Sequence, residues 1–178
     1  MKKQLIFLFT LLLYSSFLAA QTIDTEKSKI NFSVSNMGIR TVDGTISGMK
    51  GMIQFDENDL SNSKFQVSYA VNTINTNNKA RDKHLRNPDF FEVETYPTIQ
   101  FSSSSITKDG DAYTVKGNLT IKDVTKEVTF PFTVSENNGE TTLTGKLTID
   151  RKEYHVGMDT GKFMVGYDIE VEVVCVLR

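Results

Sequence analysis

The chain has 178 residues, with 20 Lys plus Arg against 22 Asp plus Glu, a net charge of −2, two His and one Cys. A slightly acidic chain with no basic run is badly matched to a phosphate backbone, so nucleic acid is excluded as the main partner. The lone Cys175 has no second thiol to pair with, which excludes an internal disulfide.

In chain order, Lys2 and Lys3 precede an almost unbroken apolar run from Leu5 to Tyr14, and Ala19-Ala20 offers a small-residue cleavage site. The run is shorter than the about 20 apolar residues a membrane span needs. The pattern predicts a signal peptide, residues 1–20, cut before Gln21, although Leu18 is larger than the cleavage pattern prefers. The exported chain is then one domain, residues 21–178, with a charge of −4 because two lysines leave and no acid does. No Cys stands at the cut, so no lipid attachment there and no stable membrane anchor are expected. The expected location is the periplasm or the medium.

From residue 30 the dominant signal is period two, the spacing of strands with one face inward and one toward water. Ile30, Phe32 and Val34 form the first such run. In 40–56, Gly44, Gly48 and Gly51 interrupt Val42, Ile46, Met49, Ile53 and Phe55. Glycines there mark a bend, and two readings stand: one long bent strand that helps a sheet close on itself, or two short strands. Phe65, Val67, Tyr69 and Val71 form the next run. Asn77-Asn78 then caps a short helix over Lys79 to Arg86, stopped by Pro88, within a long connection between strands.

Residues 98–150 read as a four-stranded meander. Asp109-Gly110 and Asn138-Gly139 are the hairpin signals, and Leu119, Val128, Phe130 and Phe132 fall on the inward faces. The last run, Ile169 to Leu177, places Cys175 on an apolar face, as a small buried hydrophobe. Counting 40–56 once gives eight antiparallel strands, the number that closes a barrel just wide enough for one ligand.

Two blocks are specific. Arg81-Asp82-Lys83-His84-Leu85-Arg86-Asn87-Pro88-Asp89-Phe90-Phe91 is followed by Tyr96-Pro97-Thr98-Ile99-Gln100-Phe101. Together with Phe32-Ser33-Val34, Met37-Gly38, Gly117 to Ile121, Val124-Thr125-Lys126 and Ile149-Asp150-Arg151 with Tyr154, they closely resemble the YceI-like polyisoprenoid-binding family. The resemblance covers Thr22 to the C-terminus. It implies an all-β, eight-stranded antiparallel lipocalin-like barrel with one short helix in a long connection. It also implies an apolar cavity for a polyisoprenoid chain such as a prenyl quinone or polyprenyl phosphate, held for transport, storage or stress-linked sequestration. Two departures stand out: Asn36 where relatives usually have His, and His155-Val156 before Gly157 where relatives tend to place Gly directly after the Tyr.

An apolar tunnel needs a row of apolar side chains, because a desolvated polar group without a partner costs energy. Phe32, Val34, Phe55, Phe65, Val67, Phe101, Leu119, Phe130 and Phe132 are the expected lining. The alternative is that they fill a dry core, in which case the barrel is an interaction module with no lipid. Arg81, His84, Leu85, Phe90 and Phe91 are the expected mouth or lid. There Arg81 and His84, sharing a helix face, either donate to a ligand head group or satisfy loop carbonyls, while Asp82 and Arg86 are spaced to pair. With no HExxH, CxxC, GxSxG or phosphate-loop pattern, no catalytic residue, metal or cofactor is expected. A homodimer through an exposed edge strand or the barrel mouth is left open.

Overall fold

The computed structural model describes residues 21–178, so the signal-peptide reading of residues 1–20 lies outside the described residues. Alternating inward and outward side chains give a single antiparallel sheet of nine strands. In chain order these are β1 (Lys29–Asn36), β2 (Arg40–Ile46), β3 (Lys50–Gln54), β4 (Lys64–Ala70), β5 (Thr98–Asp109), β6 (Ala112–Ile121), β7 (Val124–Asn137), β8 (Glu140–Asp150) and β9 (Val165–Leu177). Across the sheet they run β2-β1-β9-β8-β7-β6-β5-β4-β3. The two edge strands, β2 and β3, are therefore neighbours in the chain, and residues 47–49 join one edge of the curled sheet to the other.

That corner decides between the two readings of residues 40–56. The stretch is one path broken in two, with β2 laddered to β1 and β3 to β4. Nine strands therefore stand where eight were expected, because the glycine corner splits one of them in two. Gly48 sits in the corner at φ +71°, a conformation that glycine adopts at little cost. Thr73 pins it: the Ser47 N–H donates to Thr73 Oγ1 at 2.8 Å, and the Thr73 hydroxyl donates to the Ala70 carbonyl at 2.6 Å.

The expected meander is present as β5 to β8, paired in sequence. Gly110, at φ +58°, turns β5 into β6, while Asn138 and Gly139, at φ +51° and +79°, turn β7 into β8. The helix α1 covers Lys79–Leu85, and the Asn78 side chain accepts a hydrogen bond from the Arg81 N–H as its cap. Asp82 and Arg86 do not pair as their spacing suggested. Asp82 instead accepts from the Thr76 N–H at 2.8 Å, and Arg86 donates to the carbonyls of Asn72 and Ile74.

This winding makes the two ends of the barrel unlike. The β5–β6 and β7–β8 turns, the 55–63 loop and the N-terminal segment lie at one end. The β1–β2 turn, the 71–97 connection with α1, and the 151–164 loop lie at the other. The first end is closed by packing: Phe55, Phe65, Tyr113 and Phe132 are all buried, with ring centroids 5.2 to 6.3 Å apart. Cys175 and Leu177 of β9 lie in the same buried core.

The N-terminal segment is latched across this closed end. Ile23 bridges Leu177, and the Asp24 N–H donates to the Val176 carbonyl at 2.8 Å. The Asp24 carboxylate accepts from the Glu26 and Lys27 N–H groups at 3.0 and 3.1 Å and meets the Arg178 guanidinium. Burial alone would raise its pKa, but the Lys27 and Glu26 N–H bonds and the Arg178 charge outweigh that and hold it below the usual carboxylate value. A carboxyl depressed in the fold contributes stability that is full above about pH 4 and lost as pH falls through the folded value. Urea midpoints measured from neutral pH downward should therefore fall in acid for the wild type. Asp24→Asn should be less stable at neutral pH but lose less on acidification, and parallel pH profiles for the two would refute the latch.

Candidate functional site

Inside the barrel each strand changes role at the same depth. On β9, Ile169, Val171 and Val173 face an open cavity, whereas Cys175 and Leu177 are packed. On β7, Val128 and Phe130 face the cavity and Phe132 is packed; on β4, Val67 and Tyr69 face it and Phe65 is packed. The cavity measures about 550 Å³, within the range of small-molecule sites, and its wall is overwhelmingly apolar. The polar side chains that reach it, among them Asn36, Thr76, Arg81, His84, Arg151 and Asp159, cluster at the open end.

Of the expected lining, Phe32, Val34, Val67, Phe101, Leu119 and Phe130 stand in the wall. Phe55, Phe65 and Phe132 do not. They belong to the aromatic floor with Tyr113, and the correction has a simple cause: strand alternation tells inside from outside but not depth along the barrel. The lining that sequence reasoning passed over, such as Ile99, Val128, Leu147 and Ile149, sits on the same period-two faces and carried that signal already.

The wall stays clear because its large rings lie down. Phe32 covers Gly44 of β2, Phe101 covers Gly117 of β6, and Phe130 covers Gly145 of β8: a Cβ on those glycines would fall 2.3, 2.7 and 2.8 Å from the respective ring atoms. The bare backbone lets each ring flatten against the sheet instead of crossing the lumen.

The open end is built by two covers that meet. From the 71–97 connection, Arg81, His84, Leu85, Phe90 and Phe91 all reach the cavity, as expected of a mouth. Arg81 is nonetheless committed to the fold, donating through Nε to Thr76 Oγ1 at 2.7 Å and through Nη2 to the Thr76 carbonyl at 2.9 Å. The Thr76 hydroxyl in turn donates to the buried Asp82 at 2.5 Å. His84 Nε2 lies 3.1 Å from Asp89 Oδ2 at the surface, with its ring edge-on to Phe90.

The second cover is the 151–164 loop, and it hangs on Arg151. Arg151 is only 4% exposed, and its guanidinium donates to five carbonyls, those of Val156, Gly157, Thr160, Val165 and Gly166, at 2.6 to 2.9 Å. Desolvation by burial lowers its pKa, partly opposed by Tyr167 and Asp150. Phe90 of the first cover packs against Gly157 of the second, 2.8 Å from where a Cβ would be. Across the rim, Asn36 Nδ2 donates to the Met164 carbonyl at 2.7 Å.

This architecture is shared with known proteins, and the sequence model of the YceI-like domain matches residues 21–177. The chain belongs to the YceI-like family. Protein YceI of Salmonella agona (strain SL483) is 38% identical over 135 residues, 72% of this chain and 71% of that protein. The crystal structure of BcnA from Burkholderia cenocepacia has a TM-score of 0.81 at 28% identity, covering 87% of this chain and 99% of that one. A polyisoprenoid binding domain from Saccharophagus degradans has the same fold, with a TM-score of 0.71 at 17% identity over 89% and 98% of the two chains.

Burial pushes the Cys175 thiol up to about 12, against a hydrogen bond from Ser28 that lowers it. His155 faces Asp123 at 3.3 Å on the surface, and no group of three or more His, Cys, Asp or Glu among the described residues is placed to hold a metal ion. No helix among them is long and apolar enough to cross a membrane.

Two outcomes follow from this geometry. In Gly44→Ala the Phe32 ring must swing off the wall into the lumen, and a crystal structure with the ring still over residue 44 would contradict the account. Arg151→Met strands five carbonyls and should cost about 3–5 kcal/mol in urea unfolding, with faster amide exchange across residues 155–166. Arg151→Lys, with fewer donors and no fork, should recover only part of both.

Proposed function

We propose that this YceI-like protein is an exported binder of an isoprenoid lipid, with the polyprenyl tail inside the barrel and the head group at the open end. One observation carries the reading: an apolar cavity of about 550 Å³, closed by an aromatic floor, with its polar side chains gathered at one mouth. Each buried CH₂ contributes about 0.8 kcal/mol, so a prenyl tail binds firmly without a polar anchor along the wall. At the mouth, a quinone carbonyl or a phosphate would meet the N–H groups that Arg81 and Asn36 have left beyond those bound to Thr76 and Met164. The polyisoprenoid binding domain of Saccharophagus degradans, which has the same fold, is consistent with this ligand class.

A binder suits the side chains better than an enzyme does, since both histidines face surface aspartates and the one thiol is buried and protonated. Export, to the periplasm or beyond, rests on the signal-peptide pattern of residues 1–20. Transport, storage or stress-linked sequestration are the roles open to such a carrier. The packed interaction module is the weaker reading, because its interior would have no room to spare.

Native mass spectrometry of protein recovered from the periplasm of its expression host should show a chain beginning at Gln21 with a prenyl lipid bound. Val171→Trp, which fills the cavity, should abolish that adduct and any thermal stabilisation by added prenyl quinone, while the empty variant melts no lower than the empty wild type. Repeated recovery of empty wild-type protein, with no thermal shift from any prenyl lipid, would sink the proposal.

A further inference from the structure

Six large apolar side chains are exposed among the described residues: Met37, Ile39, Met52, Met158, Phe163 and Met164. All but Met52 come from two loops at the open end, the β1–β2 turn and the 151–164 loop. Ile39 is 88% exposed and Phe163 68%, and contiguous apolar exposure of this kind marks an interaction surface.

The two loops touch. The Met37 N–H donates to the Met164 carbonyl at 3.3 Å, and a Cβ on Gly38 would lie 3.3 Å from the Phe163 ring. Met37, Ile39, Phe163 and Met164 thus form one rim. Met164 also lines the cavity, so the apolar surface of the rim reaches the mouth of the barrel.

The charge around the rim is the reverse of the chain's. Arg40 follows Ile39, Lys162 precedes Phe163, and the Lys152 ammonium donates to the Met158 carbonyl. Lys152 and Lys162 stand 5.3 and 5.7 Å from the Tyr167 ring centroid. None of the three cations is in an ion pair with a carboxylate among the described residues, and Asp159 is the one acid of the 151–164 loop that reaches the mouth. An otherwise acidic protein therefore presents a basic, apolar lip where the β1–β2 turn meets the 151–164 loop at its open end.

We propose that this rim docks on an anionic lipid bilayer, seating Ile39 and Phe163 among the acyl chains and the three cations among the head groups. Docking there would let a lipid pass between bilayer and cavity without crossing water, a purpose that rests on the lipid-binding reading above. A second copy is the less suitable occupant, because a two-fold contact through the rim would set its cations against their own images.

The experiment is flotation of the protein from residue 21 onward with vesicles of phosphatidylethanolamine and phosphatidylglycerol, and with vesicles of phosphatidylcholine alone. Ile39→Ser with Phe163→Ser is the test variant; both side chains are exposed, and a thermal melt checks that the variant folds. Binding of a prenyl quinone in detergent micelles is measured in parallel. The wild type should float with the anionic vesicles and be released by high salt, and the double variant should bind about tenfold more weakly or worse, with quinone binding in detergent unchanged.

No flotation of the wild type, or equal flotation of the variant, overturns the docking. So does a wild-type dimer that the double variant converts to monomer, since that assigns the rim to a second copy. Flotation of the wild type alone supports docking even where no quinone binds in detergent, a result that would count against the lipid-binding reading only.

Discussion

A sheet of this size curled on itself has room for little more than its own side chains, and everything this molecule can hold depends on how its phenylalanines use that room. Phe32, Phe101 and Phe130 each lie over a glycine of the next strand, so their rings thicken the wall by one aromatic layer and no more. Phe55, Phe65 and Phe132 have no such bed. Their rings meet across the lumen in edge-on pairs and a stack with Tyr113, and the barrel is solid there. Such pairs contribute about 0.5–1.5 kcal/mol each beyond their buried area. The solid half holds the ring together, which is what allows the other half to remain empty.

The empty half needs a frame at its open end, and a single cation supplies it. Arg151 is buried without a close carboxylate partner, and the carbonyl dipoles of five loop residues stand in for one. The arrangement suits guanidinium, whose fixed fork of donors reaches several acceptors at once, and no lysine could replace it fully. Because Phe90 rests on Gly157, the position of α1 and its connection depends on the loop that Arg151 holds. Asn36 ties the same loop to β1 through a side chain that does not titrate, so this bond is indifferent to pH.

Much of this fold was legible in the sequence because strands announce themselves by period two and hairpins by Asn-Gly and Asp-Gly. Residues 98–150, the capped helix after Asn78 and the burial of Cys175 were all readable on that basis. The glycine break in 40–56 was visible, yet the choice between bending and breaking depended on Thr73, a residue more than twenty positions away that pins the corner. Depth was not legible at all. Phe130 and Phe132 are two residues apart on one face of one strand, and one is wall while the other is floor. The role of Arg151 was equally hidden, since its five acceptors are backbone groups that any sequence would provide.

The asymmetry of the ends constrains how a long amphiphile can enter. The closed end is sealed by aromatic packing and latched by Asp24 and Arg178, so the lipid proposed above would arrive and leave through the other end. Sending a polar head in first would strip its water against a wall with few partners to offer, at a cost of several kcal/mol. Sending the tail in first buries CH₂ groups from the first step and leaves the head beside Asn36, Thr76 and Arg81, where hydrogen-bonding atoms are concentrated. The tail reaches the barrel first only if it leaves the bilayer ahead of its head group, and this is the difficult step for any lipid carrier. A rim seated on the bilayer as proposed would ease that step, because the tail would pass from the acyl chains past Met164 to the apolar wall.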